Sequence, residues 1–208
     1  MSKEKHTNYK KINTAIIGLG NIGMGYARVN KIISHAKAVK KNKSFNLVAA
    51  VDIQKAKRKR FESTYKVPSY NKIKFLSVHK IDCLIISTPE SSHLNVVLNC
   101  LNLLNPKIIL IEKAMGKDFL ESKKIASICE KNNVKFLVNY QRNFNKKFNQ
   151  INKYIGKKNI KGIFWYSKNF RVNCSHYINF ILNLGIKDLK IKVINKSDFC
   201  LHNKFNKF

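Results

Sequence analysis

Gly18-Leu19-Gly20-Asn21-Ile22-Gly23 spells Gly-x-Gly-x-x-Gly between a short apolar run and an amphipathic stretch. In that setting Gly18 permits a tight turn. Gly20 lets the backbone approach a pyrophosphate, and Gly23 lets a helix pack close to the strand. A helix starting at Asn21 and Ile22 would turn free N–H groups and a positive dipole end toward phosphates. The next apolar run ends in Val51-Asp52, where a carboxylate is expected to hold the hydroxyls of an adenine ribose. A glycine turn without a ligand and a solvated acid would be the plainer reading. The agreement of motif, strand and acid favours a dinucleotide. Gly23 and Asp52 lie 29 positions apart, against an ordinary interval of about 20, so the first helix or its following loop must carry an insertion. Asp52 would repel a 2′-phosphate, which favours NAD. Lys55, Arg58 and Arg60 just beyond it would suit the phosphate of NADP.

Further candidates sit at the ends of later apolar runs. They are Ser87-Thr88-Pro89 with His93 on the following turn, Glu112-Lys113-Ala114, and Asn139-Tyr140-Gln141-Arg142. Open α/β sheets bind their ligands at C-terminal strand ends. A lysine there can orient a substrate hydroxyl and help its proton leave. Taken singly, Lys113 is one of many lysines, and His93 reads equally well as a histidine that starts a helix.

The elements that must position these residues follow from periodicity. Strands are expected at 13–17, 46–51, 81–87, 107–111 and 134–139, and helices at 21–40, 55–65, 91–104 and 120–131. The strands are continuous apolar runs, as in parallel strands covered on both faces. Their alternation with helices predicts a doubly wound parallel α/β sheet of Rossmann type. After Tyr140 the rhythm changes. Helices are expected at 144–155 and 175–184, the latter ending at Gly185, and strands at 160–170 and 190–195. The expected division is a dinucleotide-binding domain over 1–142 and a partial substrate or oligomerisation domain over 143–208, an incomplete α/β unit.

Composition narrows the function classes. The 208 residues carry 41 Lys+Arg against 11 Asp+Glu, a net charge of +30, yet 44% are hydrophobic, enough for a core. Nearly all the charge is lysine, with arginine only at 28, 58, 60, 142 and 171. Lysine, asparagine and isoleucine share A/T-rich codons, so drift in base composition accounts for the excess. Nucleic-acid readers favour arginine clustered on one face, so no nucleic-acid partner is expected. No run approaches the ~20 apolar residues of a membrane span. Five scattered cysteines without a Cys-x-x-Cys pair argue against a disulfide framework or structural zinc, and for a reducing cytoplasm. No metal ligands are assigned.

Taken in order, Gly18 to Gly23, Asp52, Thr88-Pro89 with His93, Glu112-Lys113 and Tyr140-Gln141-Arg142 resemble the Gfo/Idh/MocA oxidoreductases. Asn173-Cys174-Ser175-His176-Tyr177-Ile178-Asn179 is similar to that family's Gly-Ser-His-x-x-Asp segment. The resemblance spans residues 13–185. It implies an NAD(P)-binding Rossmann domain followed by a domain with a large open antiparallel sheet. It also implies hydride exchange between nicotinamide and a hydroxyl- or carbonyl-bearing carbon of a sugar, nucleotide sugar or cyclitol. On this match Lys113 holds the reacting oxygen and His176 transfers the proton, a task suited to a group that titrates near neutrality. Gly18, Gly20, Asn21, Ile22, Gly23, Asp52, Thr88, Pro89, His93 and Glu112 bind the cofactor, while Tyr140, Arg142 and Asn179 border the substrate.

Three departures bear on catalysis. Ala114 stands where the family usually has proline, and a bond to proline adopts cis far more readily than a bond to alanine. Val172 and Asn179 stand where acids often flank the histidine. Only 32 residues follow His176, too few for the expected second sheet, so a homo-oligomer would require that domain to be completed. The alternative is a non-catalytic dinucleotide-binding remnant or a truncated gene product.

Overall fold

Each apolar run of the first two-thirds becomes a strand, and the central strands β1, β2 and β4 have both faces buried. The computed structural model describes residues 10–25, 33–144, 150 and 174–184. The chain divides into two compact units, Met1–Gln141 and Arg142–Phe208. In the first, the elements run β1 (Ile12–Ile17), α1 (His35–Lys41), β2 (Phe45–Val51), α2 (Lys55–Tyr65), β3 (Ser69–Tyr70), β4 (Cys83–Ile86), α3 (His93–Leu103), β5 (Ile108–Ile111), α4 (Phe119–Lys131) and β6 (Lys135–Val138). Short 3₁₀ turns occupy Ile73–Val78, Glu90–Ser92 and Gln141–Phe144.

The sheet order is β3-β2-β1-β4-β5-β6, and every pairing is parallel. Chain direction across the sheet therefore reverses between β1 and β4, the switch point at which such sheets hold ligands. Alternate residues of each strand feed opposite faces. Ala15, Ile17, Ala49, Val51, Leu84 and Ile86 join Val97, Cys100, Ile125 and Cys129 of α3 and α4 on one side. Ile16, Leu47, Ala50, Cys83 and Ile85 join Ala36, Val39, Phe61 and Tyr65 of α1 and α2 on the other. This two-sided burial is why the strands read as continuous apolar runs.

One expected element is corrected. The continuous helix over 21–40 is absent: Asn21 to Met24 form a turn, Ser34 is extended (φ −133°, ψ 152°), and α1 begins only at His35. The hydrogen bonds show why. Met24 N–H donates to the Gly20 carbonyl, as in a first helical turn. His35 N–H then donates to the Ile22 carbonyl and Ala36 N–H to the Gly23 carbonyl, at 2.9 and 3.0 Å. In an unbroken helix those two carbonyls would receive residues 26 and 27. His35 and Ala36 take their places, so the helical ladder skips nine positions of sequence, 26–34. Without those nine residues the separation from Gly23 to Asp52 falls from 29 to 20, the ordinary interval.

Of the second unit, the structure describes helix α5 (Ser175–Asn183), close to the expected 175–184. The helix expected at 144–155, the strands at 160–170 and 190–195, and Gly185 lie outside the described residues.

Candidate functional site

The glycine turn is locked to the neighbouring strand ends. Gly18 has φ +95°, and a Cβ there would lie 2.7 Å from the Ser87 backbone. Its N–H donates to the Val51 carbonyl at 2.8 Å, and the Ser87 hydroxyl donates to the Gly18 carbonyl at 2.7 Å. At Gly23 a Cβ would fall 2.1 Å from the Gly18 carbonyl oxygen, so glycine is required there by packing alone. Gly20 is different, because a Cβ there would meet nothing within 4 Å. The fold itself has no use for glycine at position 20. The space beside it suits the backbone approach of a pyrophosphate. Asn21, next to it, is exposed, and Ile22 is partly so.

Asp52, only 8% exposed, ties this turn to β2. Its Oδ2 accepts the Leu19 N–H at 2.7 Å and its Oδ1 accepts the Gln54 N–H at 2.8 Å. Lys57 Nζ lies 3.9 Å from Oδ2. A carboxylate offers about four lone-pair sites, so two backbone bonds leave capacity for a ribose diol. Arg58 donates instead to the carbonyls of Asp52 and Ile53 at 2.8 and 3.0 Å. Its guanidinium is thus anchored at the end of β2, beside the carboxylate.

On the other side of the switch point, Thr88 Oγ1 accepts the Ser92 hydroxyl at 2.9 Å, and exposed Pro89 precedes the turn that leads into α3. His93 is fully buried. Its Nδ1 lies 3.0 and 3.1 Å from the Ala114 and Met115 carbonyls, and its Nε2 lies 2.9 Å from the Thr88 carbonyl. The ring has both nitrogens facing main-chain carbonyls and clamps two loops together. Glu112 is likewise drawn inward. Its Oε1 accepts from His35 Nε2 at 2.7 Å and from Asn139 Nδ2 at 2.6 Å. Burial would raise its carboxyl. The hydrogen bonds from His35 and Asn139, the charge of His35 and the Lys113 amide reverse that and hold it below the ordinary value.

Lys113 follows at the strand end, half-buried, and the Lys113–Ala114 peptide is cis despite the missing proline. Tyr140 is half-buried just past β6, and burial pushes its phenol up. In the second unit, the Arg142 guanidinium lies 5.1 Å from the Tyr177 ring centroid. His176 is 5% exposed on the first turn of α5. Asn179 stands three residues further on, and its Oδ1 accepts from Asn143 and, at 3.3 Å, from Asn183. Asn179 thus belongs to an asparagine cluster on the helix that carries His176.

The structure therefore brings Gly18, Gly20, Asn21, Ile22, Gly23, Asp52, Thr88, Pro89 and Lys113 to the C-terminal strand ends of the first unit, with His93 and Glu112 as supports beneath them. His35 is a support that sequence reasoning missed, while Asn139 stood in a candidate run without a role of its own. The excess interval between Gly23 and Asp52 signalled an insertion, but nothing in the pattern showed that His35 closes it. Among the described residues no group of three or more His, Cys, Asp or Glu could hold a metal ion, and no helix is long and apolar enough to cross a membrane.

Comparison with known proteins decides the lineage. Residues 12–140 match the Gfo/Idh/MocA oxidoreductase family with its NAD-binding Rossmann fold. The chain belongs to that family. Among solved structures, it is similar to myo-inositol 2-dehydrogenase from Lactobacillus plantarum at 26% identity, covering 70% of this chain and 41% of that one, with a TM-score of 0.58. Scyllo-inositol dehydrogenase from Lactobacillus casei, with bound NAD(H) and scyllo-inositol, shares 20% identity over 83% of this chain and 55% of its own, with a TM-score of 0.67. The WlbA dehydrogenase from Bordetella pertussis, in complex with NADH and UDP-GlcNAcA, shares 18% over 70% and 40%, with a TM-score of 0.61. The last two likenesses concern the fold alone. The chain spans about half or less of the length of these relatives. No curated protein matches it.

Proposed function

We propose that this Gfo/Idh/MocA chain binds NAD(H) across the β1/β4 switch point and serves hydride exchange with a sugar, nucleotide sugar or cyclitol. The observation that carries the reading is the pairing of open space at Gly20 with a buried Asp52 carboxylate fastened to the same turn. The first suits a pyrophosphate and the second an adenine ribose. NAD is favoured over NADP because the Asp52 carboxylate stands at the ribose end and Arg58 is committed to main-chain carbonyls. The nicotinamide, when bound, supplies the hydride acceptor or donor. The chain's own residues do the rest. Gly20 and the N–H groups after it receive the phosphates. The Lys113 ammonium orients the reacting oxygen and stabilises negative charge on it. His176 takes or gives the hydroxyl proton. Tyr140, Arg142 and Asn179 are assigned to the substrate side. The four described cysteines are free and buried, which suits a reducing cytoplasm. With its second domain completed, the chain would form a homo-oligomer.

Turnover on a panel of cyclitols and nucleotide sugars with NAD(H) tests the proposal. Activity lost in Lys113→Ala and in His176→Ala supports the assigned roles, and unchanged activity in both refutes them. Saturable NADH binding with no turnover on any member would favour a dinucleotide-binding remnant.

A further inference from the structure

Arg142 is the first residue of the second unit, and its guanidinium lies over the Tyr177 ring, 5.1 Å from the centroid. Tyr177 stands on the first turn of α5, next to His176. Arg142 and Tyr177 are both half-buried. The ring attracts the cation through its electron-rich face. It does so without an oxygen acceptor, so the planar fork of N–H donors keeps its capacity for one.

The surroundings do not supply that oxygen as a carboxylate. The described residues of the second unit include no acidic side chain. Between 142 and 208 the sequence has Asp188 and Asp198 against thirteen lysines and two arginines. The polar neighbours are amides instead: Asn143, next to Arg142, donates to Asn179 Oδ1, which also accepts from Asn183. His176, Asn179 and Asn183 follow the spacing of one helix face. The residues assigned to the substrate side therefore offer a permanent cation and neutral amides. A partly buried cation is costly without an opposite charge. A neutral cyclitol would leave that charge unbalanced, whereas a carboxylate or phosphate would balance it with two parallel hydrogen bonds.

We propose that Arg142, held on the Tyr177 ring, takes an anionic group of the substrate, which is then a sugar acid or a sugar phosphate in preference to a neutral sugar or cyclitol. This rests on the oxidoreductase reading for the identity of the site and on the ring contact for the charge of its ligand. Calorimetric titration of the full chain at fixed ionic strength, with and without NADH, compares glucuronate and glucose 6-phosphate with glucose and myo-inositol. One of the two anions binds at least about tenfold more tightly than the neutral pair, the weight of a charge-assisted hydrogen bond. Which anion it is tells a sugar acid from a sugar phosphate. Arg142→Gln removes the preference and leaves the neutral sugars within about twofold. Lys107→Gln, at a first-unit lysine whose side chain is 80% exposed, leaves the preference intact. Tyr177→Leu weakens the favoured anion, and Tyr177→Phe, which keeps the ring, restores it. Equal affinity for charged and neutral sugars overturns the proposal. So does an anion preference that Arg142→Gln leaves unchanged, or one that Lys107→Gln removes equally, since that would mark general attraction to a basic chain. Where Arg142→Gln does not fold by its melting curve, Arg142→Lys keeps the charge and loses the fork, and unchanged anion affinity in that variant overturns the claim. Turnover separates the two readings. An anion preference that depends on Arg142, in a chain with no turnover on any sugar, supports this proposal and refutes the oxidoreductase reading. Turnover on neutral cyclitols that Arg142→Gln does not lower supports the oxidoreductase reading and overturns this proposal.

Discussion

Replacing Gly20 with alanine separates ligand binding from folding. The added Cβ meets no atom of the chain within 4 Å, and the residue lies outside the left-handed region where a side chain would be strained. Folding should therefore tolerate the change. Reducing the freedom of the unfolded chain should even add about 0.4–1 kcal/mol of stability. A pyrophosphate lying against the Gly20 backbone would meet the methyl directly. Losing the close approach should weaken NADH at least about tenfold, or ~1.4 kcal/mol. Gly23→Ala supplies the contrast. Its Cβ would fall 2.1 Å from the Gly18 carbonyl oxygen, so backbone must move, at about 1–3 kcal/mol. For a chain of this size that is a drop of several degrees in Tm, at roughly 2–4 °C per kcal/mol. The assay pairs thermal melts with fluorescence titration of NADH. Gly20→Ala should melt at or slightly above the unaltered chain and bind poorly, while Gly23→Ala should melt early. Unweakened NADH binding in Gly20→Ala would refute the assignment of that space to a ligand.

Other consequences can be checked with the same protein. Asp52→Asn sets an amide NH₂ against one of two backbone N–H groups, so it should cost about 1–3 kcal/mol of stability by denaturant titration and narrow the preference for NADH over NADPH. A neutral cost would show that the two backbone bonds to Asp52 contribute nothing. Glu112 is held below its ordinary pKa in the folded chain, so its stabilisation is complete above the ordinary carboxylate value and disappears as pH falls through the lowered one. The Tm gap between the unaltered chain and Glu112→Gln should close on acidification; a constant gap down to acid unfolding would contradict this. Burial pushes the Cys83 thiol up to about 11 and Cys100 up to about 12. Both should resist iodoacetamide in the native protein and react after denaturation, and native labelling of either at mildly alkaline pH would contradict the packing described for β4 and α3.

Much of this was legible because a doubly wound sheet writes itself plainly. The runs expected at 13–17, 46–51 and 107–111 became Ile12–Ile17, Phe45–Val51 and Ile108–Ile111, since strands covered on both faces carry apolar residues in succession along their buried stretches. The two-residue strand Ser69–Tyr70 was not legible. It pairs with only the last two residues of β2 and has no apolar run of its own. The first helix misled for a different reason. Ile22, Ile32, Ile33 and Ala36 keep near-helical spacing, but Ile33 and Ser34 are not helical, and α1 rejoins the turn at His35. Periodicity sees sequence neighbours, and this helix is stitched from residues that are not neighbours. The glycines and Asp52 were visible because their roles are local. The roles of His35, Asn139 and His93 are set by contacts spanning 77, 27 and 21 positions, which no short motif records.

The central claim is that the turn at Gly18 to Gly23 and the Asp52 carboxylate together hold a nicotinamide dinucleotide. Titration of the unaltered chain with NADH, followed by its fluorescence, measures this directly. The account predicts saturable one-to-one binding below about millimolar cofactor, the usual working range of such sites. A flat titration at millimolar NADH and NADPH, with the chain folded by its melting curve, would contradict it.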